Sequence, residues 1–384
     1  MLGLDRSVDV PFATINFISS LQLSQTRSCT RALAIRLTSL GPYISRMTRD
    51  TILEFLAARA KPLGSIGRLE ELTAQLCAIQ QSLAPRTNPR RVVLFAADHG
   101  VVAEGVTAWP SEVTRMMTRT IANGTAASSV LAASTGTDLR LIDVGTIGPS
   151  WPDGAIHLSR RVRAGSRNLA QEAALTVAEF RQAAAVGEEQ AAQALSDGMT
   201  VVAAGEMGIG NSTPASCLVA LLTGAATDDT VGPGAGASGT VLERKRVVVR
   251  DAVIVARHRF MDDPEAAITS VCGLEIAAMS GFYRAAAAGG LTVVLDGFIA
   301  TAAALVAERL WPGTVHSMIA AHRSAEPGHG IALSHLGLVP VLDNWGMRLG
   351  EGTGAILLMP LLDAAAALTR MASLQDVLAA SHVE

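Results

Sequence analysis

Charge is scarce in this chain. Asp, Glu, Lys and Arg make up 17% of its 384 residues, and aromatic residues only 4%, with two tyrosines. That composition argues against a nucleic-acid partner, which needs a basic stripe; the net charge is −3 and the isoelectric point lies near 6.3. The clusters Arg244-Lys245-Arg246 and Arg257-His258-Arg259 read as solvated helix faces for most of their residues. Cysteine is sparse too. Cys29, Cys77, Cys217 and Cys272 contain no CxxC pair and lie far apart, so they suit structural thiols in a reducing, cytoplasmic setting rather than a disulfide framework. The eight histidines are scattered, with no HxxxH or HxH pair. Such a pattern supplies no zinc-type ligand set, and no metal or other cofactor is expected.

Long apolar runs are also missing, although 49% of the residues are hydrophobic and the mean hydropathy is +0.34. Asp296 interrupts the stretch 289–307, and Pro360 with Asp363 interrupts 355–368. A bilayer span wants roughly 20 largely uncharged apolar residues, so a soluble protein with no membrane partner is expected. Alanine and valine mixed with 35 glycines read instead as helices packed on a buried parallel sheet.

Residues 1–46 stand apart, with five arginines, two aspartates, many serines and no clear helical period. They read as a poorly ordered N-terminal extension; a transit peptide is the alternative. A helical segment fills 47–90: Met47 opens an amphipathic pattern, Lys61-Pro-Leu-Gly-Ser-Ile-Gly67 breaks it, and a second helix is expected over 68–83. From residue 91 to 345, short apolar strands alternate with Ala-rich helices, the signature of βαβ units. The fold class is therefore α/β, a doubly wound, mostly parallel, Rossmann-like sheet.

Five strands are predicted, over 92–97, 139–144, 201–204, 292–295 and 317–320. Their exits carry Asp98-His99, Asp143, Glu206-Met207, Asp296 and His322-Arg323-Ser324. Ligands of open parallel sheets sit beyond the strands' carboxyl ends, so these exits are expected to converge on one site. Gly208-Ile-Gly-Asn-Ser-Thr-Pro214 follows the third strand and precedes a helix expected from Ala215, with Ser212 or Thr213 as cap and Pro214 at the first helical position. Glycines ahead of free helix N–H groups make a phosphate cradle. The second glycine-rich segment, 231–239, holds Gly234 and Gly236; it reads as a second wall of that cradle or as a flexible connector. Lys245 follows it and is expected to point back at the same anion. Asp228-Asp229 reads as loop, because no apolar strand precedes it.

Glu351, between Gly350 and Gly352, has little packing reason to be there. It is either a helix cap or a general base whose pKa is raised in a partly dry pocket. Glu206 is a similar carboxylate at a strand exit, and Glu326 a weaker third.

Seven ordered segments now make a set: Lys61-Pro-Leu-Gly-Ser-Ile-Gly-Arg-Leu-Glu70, Ala96-Ala-Asp-His-Gly-Val-Val102 with Glu104-Gly105-Val106, Glu206-Met-Gly-Ile-Gly-Asn-Ser-Thr213, Gly273-Leu-Glu-Ile-Ala-Ala278, Leu295-Asp-Gly-Phe298, Ser324-Ala-Glu-Pro-Gly-His329 and Arg348-Leu-Gly-Glu-Gly-Thr-Gly354. Over roughly 48–380 the chain resembles the nicotinate-nucleotide–dimethylbenzimidazole phosphoribosyltransferase family of cobalamin lower-ligand synthesis. The resemblance implies a large α/β domain over 91–345 and a small helical domain built from both chain ends, 346–384 completing it. It also implies a homodimer without a metal, acting on nicotinate mononucleotide and a benzimidazole-type base. Glu351 resembles the family's catalytic base, with Glu206 and Lys245 as supporting catalytic residues. The turn Gly208, Ile209, Gly210, Asn211, Ser212, Thr213 resembles its phosphate loop. Asp98, His99, Met207, Gly234, Gly236, Asp296, Ser324, Leu349 and Gly350 are expected around the substrates. Trp109 and Met117 stand where some relatives carry a small residue and a glutamine, which implies a bulkier wall for the base. Cys272 before Gly273 has no reading beyond packing.

The expected chemistry needs no metal. A pyridinium leaves C1′ as a neutral ring nitrogen, and a carboxylate removes the proton of the attacking aromatic nitrogen. Other readings are the same scaffold acting on adenine or a phenol, a non-catalytic nucleotide-binding protein, and a pyrophosphate-dependent transferase.

Overall fold

The computed structural model describes residues 47–380; the extension expected over 1–46 and the end of the 346–384 segment lie outside the described residues. Thr48 caps α1 (Arg49–Ala57) with a reciprocal Thr48–Thr51 capping box. After the Lys61–Gly67 break comes α2 (Arg68–Gln80), which stops three residues short of the expected end, where Gln81 turns left-handed. Next are β1 (Arg90–Ala97), α3 (Glu112–Ala122), α4 (Ala127–Ser134), β2 (Asp138–Gly145), β3 (His157–Ser159), α5 (Val177–Ser196) and β4 (Val201–Met207). The second half holds α6 (Ser212–Thr223), α7 (Thr227–Thr230), α8 (Gly239–Phe260), α9 (Pro264–Val271), α10 (Leu274–Ala288), β5 (Thr292–Leu295), α11 (Phe298–Leu310), β6 (Met318–Ala320), α12 (Pro327–His335), α13 (Thr353–Leu368) and α14 (Leu374–Ala380). Asp228 and Asp229 lie in the one-turn α7, not in loop as expected; Thr230 closes that turn with its hydroxyl on Thr227 O.

The six strands run in the order β3-β2-β1-β4-β5-β6, and every pairing is parallel. β1 shows why both faces must be covered. Val93, Phe95 and Ala97 point into one core, with residues of α5, α6, α8, α10 and α11. Val92, Leu94 and Ala96 point into the other, with residues of α2, α3, α4 and α13. Period-two alternation with apolar residues on both faces is the sequence signature of a sandwiched parallel sheet. The strand order reverses between β1 and β4, so the crevice beyond their carboxyl ends is the topological switch point.

The two ends of the described segment meet as well. Ile52 and Leu56 pack with Ala74, Cys77 and Leu368. Ala60 N donates to Ala372 O at 2.9 Å, and Leu374 N to Ala58 O at 3.0 Å. Among the described residues no helix is long and apolar enough to cross a membrane.

Candidate active site

Three turns build the site, and glycines let them approach one another. β4 delivers Glu206. A β-carbon at the preceding Gly205 would sit 2.5 Å from Gly352 N, so only glycine lets the turn before α13 lie against the strand end. That turn holds Gly350, Glu351 and Gly352 at φ of 81°, 57° and 70°. Left-handed backbone costs a non-glycine residue about 1–2 kcal/mol, and strain of this kind collects where a side chain must be aimed. A side chain at Gly350 would strike Glu206 Oε1.

Asp296, just past β5, fixes this turn. Its Oδ1 accepts from Gly354 N at 2.7 Å and Ala355 N at 3.1 Å, and its Oδ2 from Gly352 N at 3.2 Å. A carboxylate there satisfies the free N–H groups at the start of α13 and complements its dipole. Glu351 precedes the cap residue Gly352, so the helix-cap reading of Glu351 does not hold. Asp296 does that work.

The two glutamates differ in their surroundings. Glu351 is 4% exposed and accepts from Ser128 Oγ of α4 at 3.3 Å. Burial, reinforced by the charge of Asp296 and opposed by Ser128, holds its carboxyl above the ordinary range. Glu206 is pushed up to about 8, chiefly by burial; the Asn211 amide opposes this, and Asp296, Glu275 and Glu351 add to it. Native Glu206 therefore keeps its proton through neutral pH, while the unfolded chain loses it near pH 4.5. The unfolded state then binds fewer protons over that interval, so this residue lowers stability as pH rises from the ordinary carboxylate value to about 8. Glu206→Gln is expected to remove that decline. The check is the change in melting temperature between pH 5 and pH 8, which must be smaller in the variant than in the parent.

Gly208, Ile209, Gly210, Asn211 and Ser212 line one side of a cavity of about 770 Å³. α6 starts at Ser212 with Asn211 as cap residue and no side-chain cap. The expected cap, Ser212 or Thr213, and the expected first-turn start at Pro214 are thus displaced. Asn211 spends its amide on Glu206, and the Ser212 hydroxyl accepts from Lys245 Nζ at 2.9 Å. Thr213 N donates to Gly210 O at 3.0 Å and Pro214 has no N–H, so among the first three helical positions the Ser212 N–H is the one left for an anion. Pro233, Gly234 and Ala235 also line the cavity, and Gly234 lies so close that a β-carbon there would strike Ser212 Oγ. Their loop is held at three points: Trp109 Nε1 donates to Ala235 O at 2.9 Å, Arg348 Nη1 to Gly234 O at 3.2 Å, and Gly234 N donates to Glu326 Oε1 at 2.9 Å. The segment is a pinned wall rather than a loose connector.

Of the residues expected around the substrates, Glu351, Glu206, Trp109, Met117, Met207, Gly208, Ile209, Gly210, Asn211, Ser212, Gly234, Asp296, Ser324, Leu349 and Gly350 line this cavity. Asp98, His99, Thr213, Gly236 and Lys245 do not. Asp98 Oδ2 accepts from Ile147 N at 2.7 Å and anchors the turn after β2. Asp143, the β2 exit, accepts from Gly145 N and Thr146 N in that same turn. The convergence thus involves the exits of β4, β5 and β6, not all five. Lys245 lies behind the wall: Ser212 Oγ and Gly232 O at 2.7 Å take its protons, and burial brings its ammonium down to about 8 against the pull of Glu326. Arg348 lines the cavity beside His322, expected as a strand exit, and Glu326, expected as a weaker third carboxylate; sequence reasoning gave no role to Arg348 or to Ser128. Arg348 lay inside a segment already singled out; nothing in sequence marks Ser128.

Sheet order, switch-point crevice and paired buried carboxylates define a doubly wound α/β enzyme of the nucleotide-handling class. Residues 42–377 match a family model described as phosphoribosyltransferase. The nicotinate-nucleotide–dimethylbenzimidazole phosphoribosyltransferase of Thermus thermophilus is 44% identical over 316 residues, covering 82% of this chain and 93% of the relative. The enzyme of that name from Ectopseudomonas mendocina is 43% identical over 309 residues, covering 80% and 87%. The crystal structure of CobT from Thermus thermophilus superposes with a TM-score of 0.81 at 42% identity, covering 86% of this chain and 98% of that one. The chain belongs to the nicotinate-nucleotide–dimethylbenzimidazole phosphoribosyltransferase family.

Proposed function

We propose that the chain transfers the 5-phosphoribosyl group of nicotinate mononucleotide to 5,6-dimethylbenzimidazole, giving α-ribazole 5′-phosphate and nicotinate for the cobalamin nucleotide loop. The relatives carry the name of this reaction. The observation that carries the reading for this chain is that Glu351 and the Gly208–Ser212 turn face one cavity.

In this reading the donor phosphate sits against the Gly208–Ser212 turn, at the Ser212 N–H that begins α6. The C1′–N bond breaks with its electron pair going to the pyridinium nitrogen, which leaves neutral and needs no general acid. The acceptor nitrogen forms its bond to C1′ from the opposite face, which gives the α configuration. The proton on its second nitrogen passes to the Glu351 carboxylate, without which the product ring would be cationic. General-base assistance of this kind contributes about 10²–10⁴-fold, and burial raises the carboxylate's basicity in the required sense. Glu206 holds its own proton and supports the site as a neutral group beside two carboxylates. The apolar walls, Val113, Met117 and Ile209 among them, hold the ring in line, a gain of positioning rather than of charge.

Trp109 and Met117 on the lining favour one second reading, an acceptor other than dimethylbenzimidazole such as adenine or a phenol. A competition assay with mixed bases separates the two. The homodimer implied by the family likeness is part of the proposal, and sedimentation checks it. So is a cytoplasmic location, which the buried thiols of Cys77, Cys217 and Cys272 support. Incubation of the purified chain with nicotinate mononucleotide and dimethylbenzimidazole is expected to yield free nicotinate and a riboside phosphate by mass spectrometry. Unchanged substrates would overturn the assignment.

A further inference from the structure

A buried ion pair lies directly beneath the Gly208–Gly210 turn, outside the cavity. His99 Nε2 is 3.0 Å from Glu275 Oε1, and both side chains are almost wholly sealed from solvent. The ring borders the turn: a β-carbon at Gly208 would strike Ala97 O first and then lie 3.0 Å from His99 Nε2, and one at Gly210 would meet Val102 Cγ2 at 2.8 Å, with His99 Cβ at 3.8 Å. On the far side, a β-carbon at Gly273 would lie 2.5 Å from His99 Cε1 and 2.8 Å from Glu275 Oε2. Glycine at 273 thus leaves the room that the pair fills, and glycine at 208 lets the turn lie on both β1 and the ring. Among the described residues no well-aligned hydrogen bond reaches either ring nitrogen or either Glu275 oxygen, so ring and carboxylate depend on one another.

Such a pair is a poor device for stability, because desolvating two charges offsets most of their attraction. Its placement suggests another use. We propose that His99 and Glu275 are positioning residues that set the shape of the Gly208–Asn211 turn from below and so fix the seat of the donor's phosphate. Burial alone would push the imidazole down; Glu275, with Asp98 behind it, holds it above its ordinary value, so the ring can carry positive charge under the turn. Glu275 stands at the first turn of α10, so the pair ties the phosphate turn to one of the most deeply buried helices of the sheet's flank. The inference rests on the proposed reading of the Gly208–Ser212 turn as the phosphate seat.

The test compares wild type, His99→Gln, Glu275→Gln and the double variant H99Q/E275Q, with nicotinate mononucleotide and its dephosphorylated counterpart, nicotinate riboside, as donors. Single variants strand one buried charge and can fail to fold; the double variant removes both. The double variant is expected to lose about 10–100-fold in kcat/KM with the phosphorylated donor, mostly through KM, as misplacement by a fraction of an ångström to an ångström does. Its kcat/KM with the riboside should stay near the wild-type value. Retention of the wild-type preference for the phosphorylated donor, an equal loss with both donors, or failure of the double variant to fold would each overturn the proposal. If wild type itself shows no preference for the phosphorylated donor, the reading of the phosphate seat falls first, and the pair's role with it.

Discussion

Replacing Glu351 by glutamine is expected to abolish turnover while leaving nicotinate mononucleotide bound with nearly unchanged affinity. Glutamine preserves the side chain's length and its contact with Ser128, and it adds no volume to a turn with none to spare. What it removes is the basic carboxylate proposed to take the acceptor's proton. A loss of about 10²–10⁴-fold in kcat follows from general-base magnitudes, and donor affinity measured by calorimetry should hold because the phosphate seat is on another turn. Full activity in this variant would sink the assignment of the base. Loss of donor binding together with activity would show that residue 351 serves the seat instead.

Asp296→Ala should produce the second large effect, on stability and catalysis together. Three backbone N–H groups, of Gly352, Gly354 and Ala355, donate to this one buried carboxylate. A buried donor left unsatisfied costs about 1–3 kcal/mol, so the variant should lose about 3 kcal/mol or more and melt several degrees lower. Activity should fall further than the folded fraction explains, since the same three bonds aim the turn bearing Glu351. Thermal melts and kcat measured well below the variant's midpoint separate the two effects. A variant that melts lower but turns over normally would show that the turn keeps its shape without the carboxylate.

Much of this arrangement was legible in the residues, for identifiable reasons. The strands later seen as β1, β2, β4 and β5 are short Val-, Ala- and Leu-rich runs followed by glycine or acid, β6 is a short apolar run followed by Ala321-His322, and all predicted bounds fall within three residues of those observed. β3 was not predicted, because three residues after a Pro- and Gly-bearing stretch carry no periodicity. The cavity's two glutamates stood out because each is set among glycines, and the backbone angles explain the neighbours of 351. What did not follow from sequence was direction. Asp98, His99 and Asp143 occupy strand exits like those of Glu206 and Asp296, yet turn into the protein, where unpaired N–H groups and a partner carboxylate claim them. Lys245 likewise turns to a hydroxyl and a carbonyl rather than to the open cavity. Which of several polar side chains a buried backbone needs is a tertiary question, and no local pattern encodes it.

The narrow fit between Gly205, Glu206 and the Gly350–Gly352 turn has a further effect on how this scaffold can change. Any side chain at 350 meets Glu206, and any at 205 meets the backbone at 352, so the edge that carries the proposed base tolerates almost no variation. Trp109, half exposed at the rim and tied by one side-chain hydrogen bond to Ala235 O, and Met117 face the same space with no glycine-only backbone contact against them. Adaptation to a new aromatic partner is therefore channelled to that outer wall, while the chemistry stays locked in place.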